Sequence, residues 1–213
     1  MKKFLAIILI TLLSFPKLIA QGFNGSIEFK YYTQKDTSRN IYLVKNKLVR
    51  LDRYSRKNDK IEGSFIFDLQ QGEVKCLSPQ RKVWFTQKSE TPQTIQGQCV
   101  VTKGKATKTI AGFKCNDFVV KNNEENTIIT YWIAEDKFTF FSPLITLWNR
   151  KDKQSIYFGQ IKNLPPGSMP LMSEEKSIDS GKSVSKLEVI KISKTAPADQ
   201  QFVIPSDYKP FEQ

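Results

Sequence analysis

Apolar and polar residues alternate through most of this chain. In SIEFKYY (26–32), Ile27, Phe29 and Tyr31 are separated by Glu28 and Lys30, the period of two of a strand with one buried face. Similar runs follow at NIYLVK (40–45) and KLVRLDRY (47–54), with Asn46 as a tight turn between them, and at GSFIFDL (63–69). Gln70, Gln71 and Gly72 supply turn chemistry before EVKCLS, and Pro79 punctuates the chain before KVWFTQ. A second group of strands is predicted at 98–103, 110–121, 127–134 and 154–162. Between the last two, Ser142 and Pro143 in FTFFSPLITLWNRKD form a cap and first-turn signature, predicting a short helix over 142–149. LPPGSMP (164–170) reads as a rigid loop. LMSEEKS and VSKLEVIKIS flank a turn around Asp179 to Lys182 as a terminal hairpin, and the proline-punctuated FVIPSDYKPF is expected to lie extended on the rim. Short strands joined by short polar turns pair antiparallel. The expected fold is therefore mainly β, a curled antiparallel sheet or half-open β-barrel with one or two short helices, forming a single domain over 21–213.

Several strands are apolar on both faces. Ile66 lies beside Phe65 and Phe67, Trp84 beside Val83 and Phe85, and Ile128 and Trp132 beside Ile129, Tyr131 and Ile133. A sheet with one wet face does not need this pattern. Either the sheet curls around its own core with a helix or loop covering the outside, or one face lines a ligand cavity. For the second case the candidate lining residues are Phe29, Phe65, Phe67, Trp84, Phe118 and Trp132.

TIAGFKCNDFVVK (109–121) holds a glycine and a cysteine within an apolar run. Phe113 and Cys115 share one parity and Phe118 and Val120 the other, so a β-bulge at Asn116 or Asp117 is expected to bring all four to one side, with Gly112 marking a kink. The three cysteines allow one disulfide and a leftover thiol. Cys99 and Cys115 flank a turn region at Lys103 to Lys108 and form one candidate bridge; Cys76 with Cys115 is a competing pair, and three reduced, buried thiols are a further alternative. A reactive Cys115 lacks a base, because Lys114 points to the opposite face of a strand.

The N-terminus adds an address. MKKFLAIILITLLSFPKLIA has Lys2 and Lys3, an apolar run from Phe4 to Leu13, and Ala20 before Gln21, the layout of a signal peptide over residues 1–20. The apolar run is too short to span a bilayer, and no later segment is long and apolar enough to do so. The protein is thus expected to be exported, to the periplasm or an outer-membrane-associated or secreted location. The net charge of +12 falls to +9 once Lys2, Lys3 and Lys17 are removed. The basic residues are scattered among acids, as in KNDKIE and SEEKS, which argues against a nucleic-acid partner. Histidine is absent, which excludes Ser-His-Asp and Cys-His nucleophile systems and the common histidine zinc sites. No catalytic constellation, cofactor site or metal site is legible, and a non-enzymatic role is expected.

TIAGFKCNDFVVK, followed by TYWIAED, the helical PLITLW and the closing FVIPSDYKPF, resembles an uncharacterised family of secreted bacterial proteins, the domain of unknown function 4412, over roughly residues 98–211. The quoted motifs are moderately specific, and Cys76, Cys99 and LPPGSMP fall outside them. The family is similar in outline to the Lol lipoprotein carrier and receptor proteins. That resemblance implies a half-open antiparallel barrel whose helical lid holds acyl chains. Two functions follow as expectations. One is an envelope or periplasmic binding protein holding a lipid or lipoprotein acyl chain in a concave sheet, with basic residues at its rim meeting anionic head groups. The other is a structural or interaction module of the cell envelope that docks a protein partner and has no small-molecule ligand.

Overall fold

The computed structural model describes residues 22–87, 94–149 and 152–211; the expected signal peptide lies outside the described residues. Twelve strands occur among them: β1 (Gly25–Thr33), β2 (Thr37–Lys45), β3 (Leu48–Tyr54), β4 (Ile61–Asp68), β5 (Glu73–Ser78), β6 (Val83–Thr86), β7 (Val100–Ile110), β8 (Phe113–Asn122), β9 (Thr127–Glu135), β10 (Ser168–Ser177), β11 (Ser183–Ser193) and β12 (Lys209–Pro210). Helices α1 (Phe141–Trp148) and α2 (Lys153–Phe158) fall between β9 and β10. All the strands belong to one curled, open sheet in the order β12-β6-β5-β4-β3-β2-β1-β11-β10-β9-β8-β7. Every pairing is antiparallel except that of β12 with β6. The mainly β expectation describes this fold.

The cross-strand register sorts the side chains into two faces. Tyr42, Leu51, Phe65 and Cys76 stand opposite one another in consecutive strands of the inner face, as do Phe118 and Tyr131 further round. These positions carry the core, which includes fully buried Ile27, Val44, Val49, Phe67, Val120, Ile129 and Tyr131. The helices add Phe141, Leu144, Tyr157 and Phe158 to it. On the outer face, Ile66 and Leu77 are also buried. The C-terminal segment covers them. Phe202 is buried beside Leu48 and Ile66, Arg50 Nη1 donates to Gln201 O at 2.9 Å, and Phe211 N donates to Trp84 O at 2.7 Å. The apolar outer positions are therefore explained by a covering strap.

Three local expectations need correction. Residues 98–121 are not two strands turning at 103–108: β7 runs unbroken to Ile110 and turns at Ala111 and Gly112, with φ of 48° and 85°. Two positive-φ residues between paired strands make a two-residue hairpin of the primed class, so Gly112 serves a turn rather than a kink. The bulge likewise lies in β7. Lys103 pairs Phe118 and Thr107 pairs Asn116, leaving Gly104, Lys105 and Ala106 opposite Asp117, while β8 runs without a shift against β9. The Asp117 carboxylate accepts from Ala106 N at 2.9 Å, and a Cβ on Gly104 would collide with it, so a larger residue there would have to displace that carboxylate. Phe113 and Phe118 consequently keep opposite parity, and Phe113 packs instead on Phe138 (ring centroids 5.2 Å apart). Finally, 154–162 is not a strand. Asp152 accepts from Ser155 N at 3.0 Å and caps α2, overriding the aromatic and β-branched content of SIYF.

The turn position also settles the disulfide. Lys108 faces Cys115, whereas Cys99 lies near Asn122 at the far end of the β7–β8 ladder, with Asn122 Nδ2 to Cys99 Sγ at 3.7 Å. The candidate Cys99–Cys115 bridge is therefore absent, and Cys76, Cys99 and Cys115 are all free, the reduced alternative. Burial pushes the Cys76 and Cys115 thiols up to about 11. At pH 8 iodoacetamide is expected to label Cys99, which is partly exposed, well before the other two, as read by peptide mass spectrometry; equal labelling of all three in the folded protein would contradict this packing.

Candidate ligand cavity

The inner face is not filled everywhere. A cavity of about 280 Å³ opens between the helices and β1, β2, β3, β9, β10 and β11. Its walls are mostly apolar: Phe29, Tyr42 and Leu51 come from the sheet, and Phe141, Ile145, Trp148 and Phe158 from the helices. Phe29 stacks on Tyr42 at 4.9 Å. Trp148 is wedged against Phe65 and Phe67, with ring centroids 5.5 and 5.2 Å away, which fixes the end of α1 over the sheet. Asn149 follows in the left-handed conformation and donates its N–H to Ile145 O, ending the helix at that point.

The second helix is held by polar contacts at both ends. Gln154 is buried; its side-chain oxygen accepts from Ser173 Oγ and its Nε2 donates to Ser185 Oγ at 2.7 Å. Ser185 Oγ in turn donates to Glu175 Oε2 at 2.7 Å, and Tyr131 OH donates to the Gln154 carbonyl at 2.7 Å. Further along, Glu125 accepts from Tyr157 OH at 2.6 Å and pairs with Lys153 at 3.3 Å. Burial would raise the Glu125 carboxyl, but the bonds from Tyr157, Gln96 N and Lys153 outweigh it and hold the group below its ordinary value. Burial, and then Glu125, push the Tyr157 phenol well up, so both groups stay in the states that bond. Among the described residues no buried side-chain nitrogen or oxygen lacks a partner.

The mouth is polar. Thr33, Asp36, Ser38 and Arg53 line it, and Asn40 lies deeper, with its Nδ2 donating to Ser38 Oγ at 3.0 Å. Asp36 Oδ1 accepts from Arg56 Nη1 at 2.9 Å and from Thr37 N at 2.8 Å, which lowers its carboxyl. The other lining carboxylate, Asp152, caps α2.

Of the six aromatics selected from sequence, Phe29 alone lines this cavity. Phe67 and Phe118 are buried in the core beside it, and Phe65 backs Trp148. Trp84 lies on the outer face under the C-terminal strap, and Trp132 lies on the outer face between Met172 and Lys108. Sequence reasoning missed Tyr42, Phe141, Trp148 and Phe158 as lining residues. For the last three, the helical signal in PLITLW and the Asp152 cap were the usable clues. Among the described residues, no group of three or more Asp, Glu, Cys or His side chains could hold a metal. No helix among them is long and apolar enough to cross a membrane.

A family model described as "Domain of unknown function (DUF4412)" matches residues 23–208, so the chain belongs to that family. The match extends well upstream of the stretch whose motifs suggested it. No curated protein matches the chain by sequence. Among solved structures, an uncharacterized conserved protein from Thermus thermophilus is similar at TM-score 0.50 and 10% identity, with 89% of this chain and 91% of that one covered. The Pseudomonas aeruginosa MucA/MucB complex matches at TM-score 0.50 and 12% identity over 87% of this chain, which spans only 56% of that one. A LolA superfamily protein from Nitrosomonas europaea matches at TM-score 0.35 and 11% identity, covering 86% and 90%; at that score it adds no argument. At such identities the likenesses concern the fold.

Proposed function

We propose that this protein is an exported binding or carrier protein of the cell envelope, without catalytic activity, that holds a hydrophobic ligand such as a lipid or an acyl chain. The observation that supports the reading is the cavity between α1, α2 and the inner face of the sheet, which has a mostly apolar wall and a polar mouth. Its fully bonded polar supports keep the cavity preformed rather than dependent on a ligand to order it. Nucleophile and base are not assembled there: Asp36 and Asp152 are each committed to structural bonds.

Native mass spectrometry after gentle purification from the envelope tests this. The parent protein is expected to carry a hydrophobic species, and Ile145→Trp, which fills the cavity from α1, is expected to lose it while unfolding cooperatively. A parent protein that carries no such species and takes up none when offered it would sink the reading.

A second reading, a protein-docking module, is favoured by β7. It ends the sheet, is exposed along nearly its whole length, and leaves Val100 62% exposed. An edge of this kind can receive an added strand, although its lysines and bulge also oppose unplanned pairing. Retention of envelope function by Ile145→Trp, with loss on Val101→Pro in β7, would favour that reading.

A further inference from the structure

We propose that the cavity takes one single-chain amphiphile with an anionic head, its chain among the apolar wall residues and its head at Arg53. This narrows the ligand reading above and rests on it.

The first observation is an unpaired cation on the ligand side of the sheet. Arg53 stands opposite Asn40 on β2 and Gly63 on β4, and Asn40 stands opposite Phe29 on β1. All of these are inner-face positions, and Arg53 lines the cavity at its mouth. Arg39, Arg50 and Arg56 each pair with a carboxylate, at 2.7 to 2.9 Å. Arg53 has no hydrogen-bond or ion-pair partner among the described residues. Gly63 beside it presents no side chain, a Cβ there would meet nothing nearer than Leu77 O at 3.8 Å, and Arg53 itself is exposed. The two carboxylates that also line the cavity are engaged elsewhere, by Arg56 and by the α2 N-terminus. A planar five-donor cation left free beside an apolar pocket is suited to a carboxylate or phosphate held by paired bonds.

The second observation is size. A methylene group occupies roughly the volume share of a liquid water molecule, about 30 Å³. A cavity of about 280 Å³ therefore holds a chain on the order of ten carbons. Small for a ligand pocket, it suits one chain better than the several of a diacyl lipid or a lipoprotein anchor. The hydroxyl of Ser38 at the mouth, which only accepts from Asn40, can donate to the same head group.

Calorimetric titration with decanoate, decyl phosphate, decanol and decyltrimethylammonium tests the inference. Both anions are expected to bind several-fold tighter than decanol, as a charge-assisted bond to a solvent-exposed guanidinium allows. The cation is expected to bind most weakly. Arg53→Gln is expected to remove that anion advantage while lowering decanol binding far less; the side chain is exposed, so the variant keeps its fold. Across carboxylates of increasing length, affinity is expected to climb about fourfold per methylene and to level off near ten carbons. Decanoate binding tighter than decyl phosphate would assign a fatty acid and the reverse a phosphate-headed single-chain lipid; both uphold the inference. Equal affinity for decanoate and decanol, an Arg53→Gln effect shared equally by both, or a diacyl phospholipid matching the best single chain would overturn it and leave the broader ligand reading standing. If neither the four probes nor the diacyl phospholipid binds, the ligand reading itself fails.

Discussion

Phe67→Ala is expected to lower unfolding stability by about 3–5 kcal/mol, the range for removing a fully buried aromatic side chain. Phe67 has no exposed surface, faces Val49 and Val74 across the neighbouring strands, and supports Trp148 edge to face at 5.2 Å. The lost ring leaves a void that strands on both sides hold open, because their hydrogen-bonded spacing prevents collapse. The void adjoins the ligand cavity through Trp148. Chemical denaturation gives the stability, and Trp148 fluorescence in the native state is expected to change as the indole loses its backing. Phe67→Leu keeps much of the volume and is expected to lose clearly less. A loss below about 1 kcal/mol for the alanine variant would mean that α1 is not anchored at this point.

The prediction depends on which face a side chain occupies, and that was the part of the fold least legible from sequence. Strand existence followed from alternation. Ile27, Phe29 and Tyr31 read as a buried face, and the β10–β11 hairpin was visible from its two runs and the Asp179–Lys182 turn. Where both parities are apolar, alternation carries no orientation. Ile66 and Phe67 are adjacent and both buried, one by the C-terminal strap and the other by α1. The strap is contributed by residues more than 130 positions downstream, and no local pattern reports such a contact. Choosing the largest aromatics therefore mixed inner Phe29 with outer Trp84 and Trp132.

The turn at Ala111 and Gly112 failed for a different reason. Asn-Gly and Asp-Gly are the usual signs of a primed hairpin turn, and alanine at φ 48° is an unusual first residue. The more polar and lysine-rich 103–108 stretch looked like the better turn. It is an edge strand instead, and its lysines face water because the sheet ends there. Misplacing that turn by about six residues carried the disulfide with it, since pairing in a hairpin is set entirely by the turn position. The short helix α2 was hidden by composition: six residues rich in aromatic and β-branched types give no helical period, and only the Asp152 cap marks the start.

That helix has little intrinsic stability, so its position depends on Gln154, whose replacement provides the second large expected effect. Gln154→Leu keeps the approximate size of the side chain but removes the acceptor for Ser173 Oγ and the donor to Ser185 Oγ, both buried. Each buried hydroxyl deprived of its partner costs about 1–3 kcal/mol. Ser185 is partly protected because it still donates to Glu175 Oε2, so the main penalty falls on Ser173. A loss of about 2–3 kcal/mol is expected. The asymmetry of hydrogen-bond energetics gives a sharper test than the single variant. If both partners become apolar, nothing buried is left unpaired, and Gln154→Leu with Ser173→Ala is expected to recover part of the loss. A favourable coupling of at least about 0.5 kcal/mol in the double-mutant cycle would place the energy in this contact. Strict additivity would show that α2 is held mainly elsewhere, at the Glu125, Tyr157 and Lys153 end. Because Gln154 and Ser173 also line the cavity, the double variant turns part of its wall from polar to apolar. It is therefore expected to bind decanol more tightly than the parent, while the anion preference set at Arg53 remains.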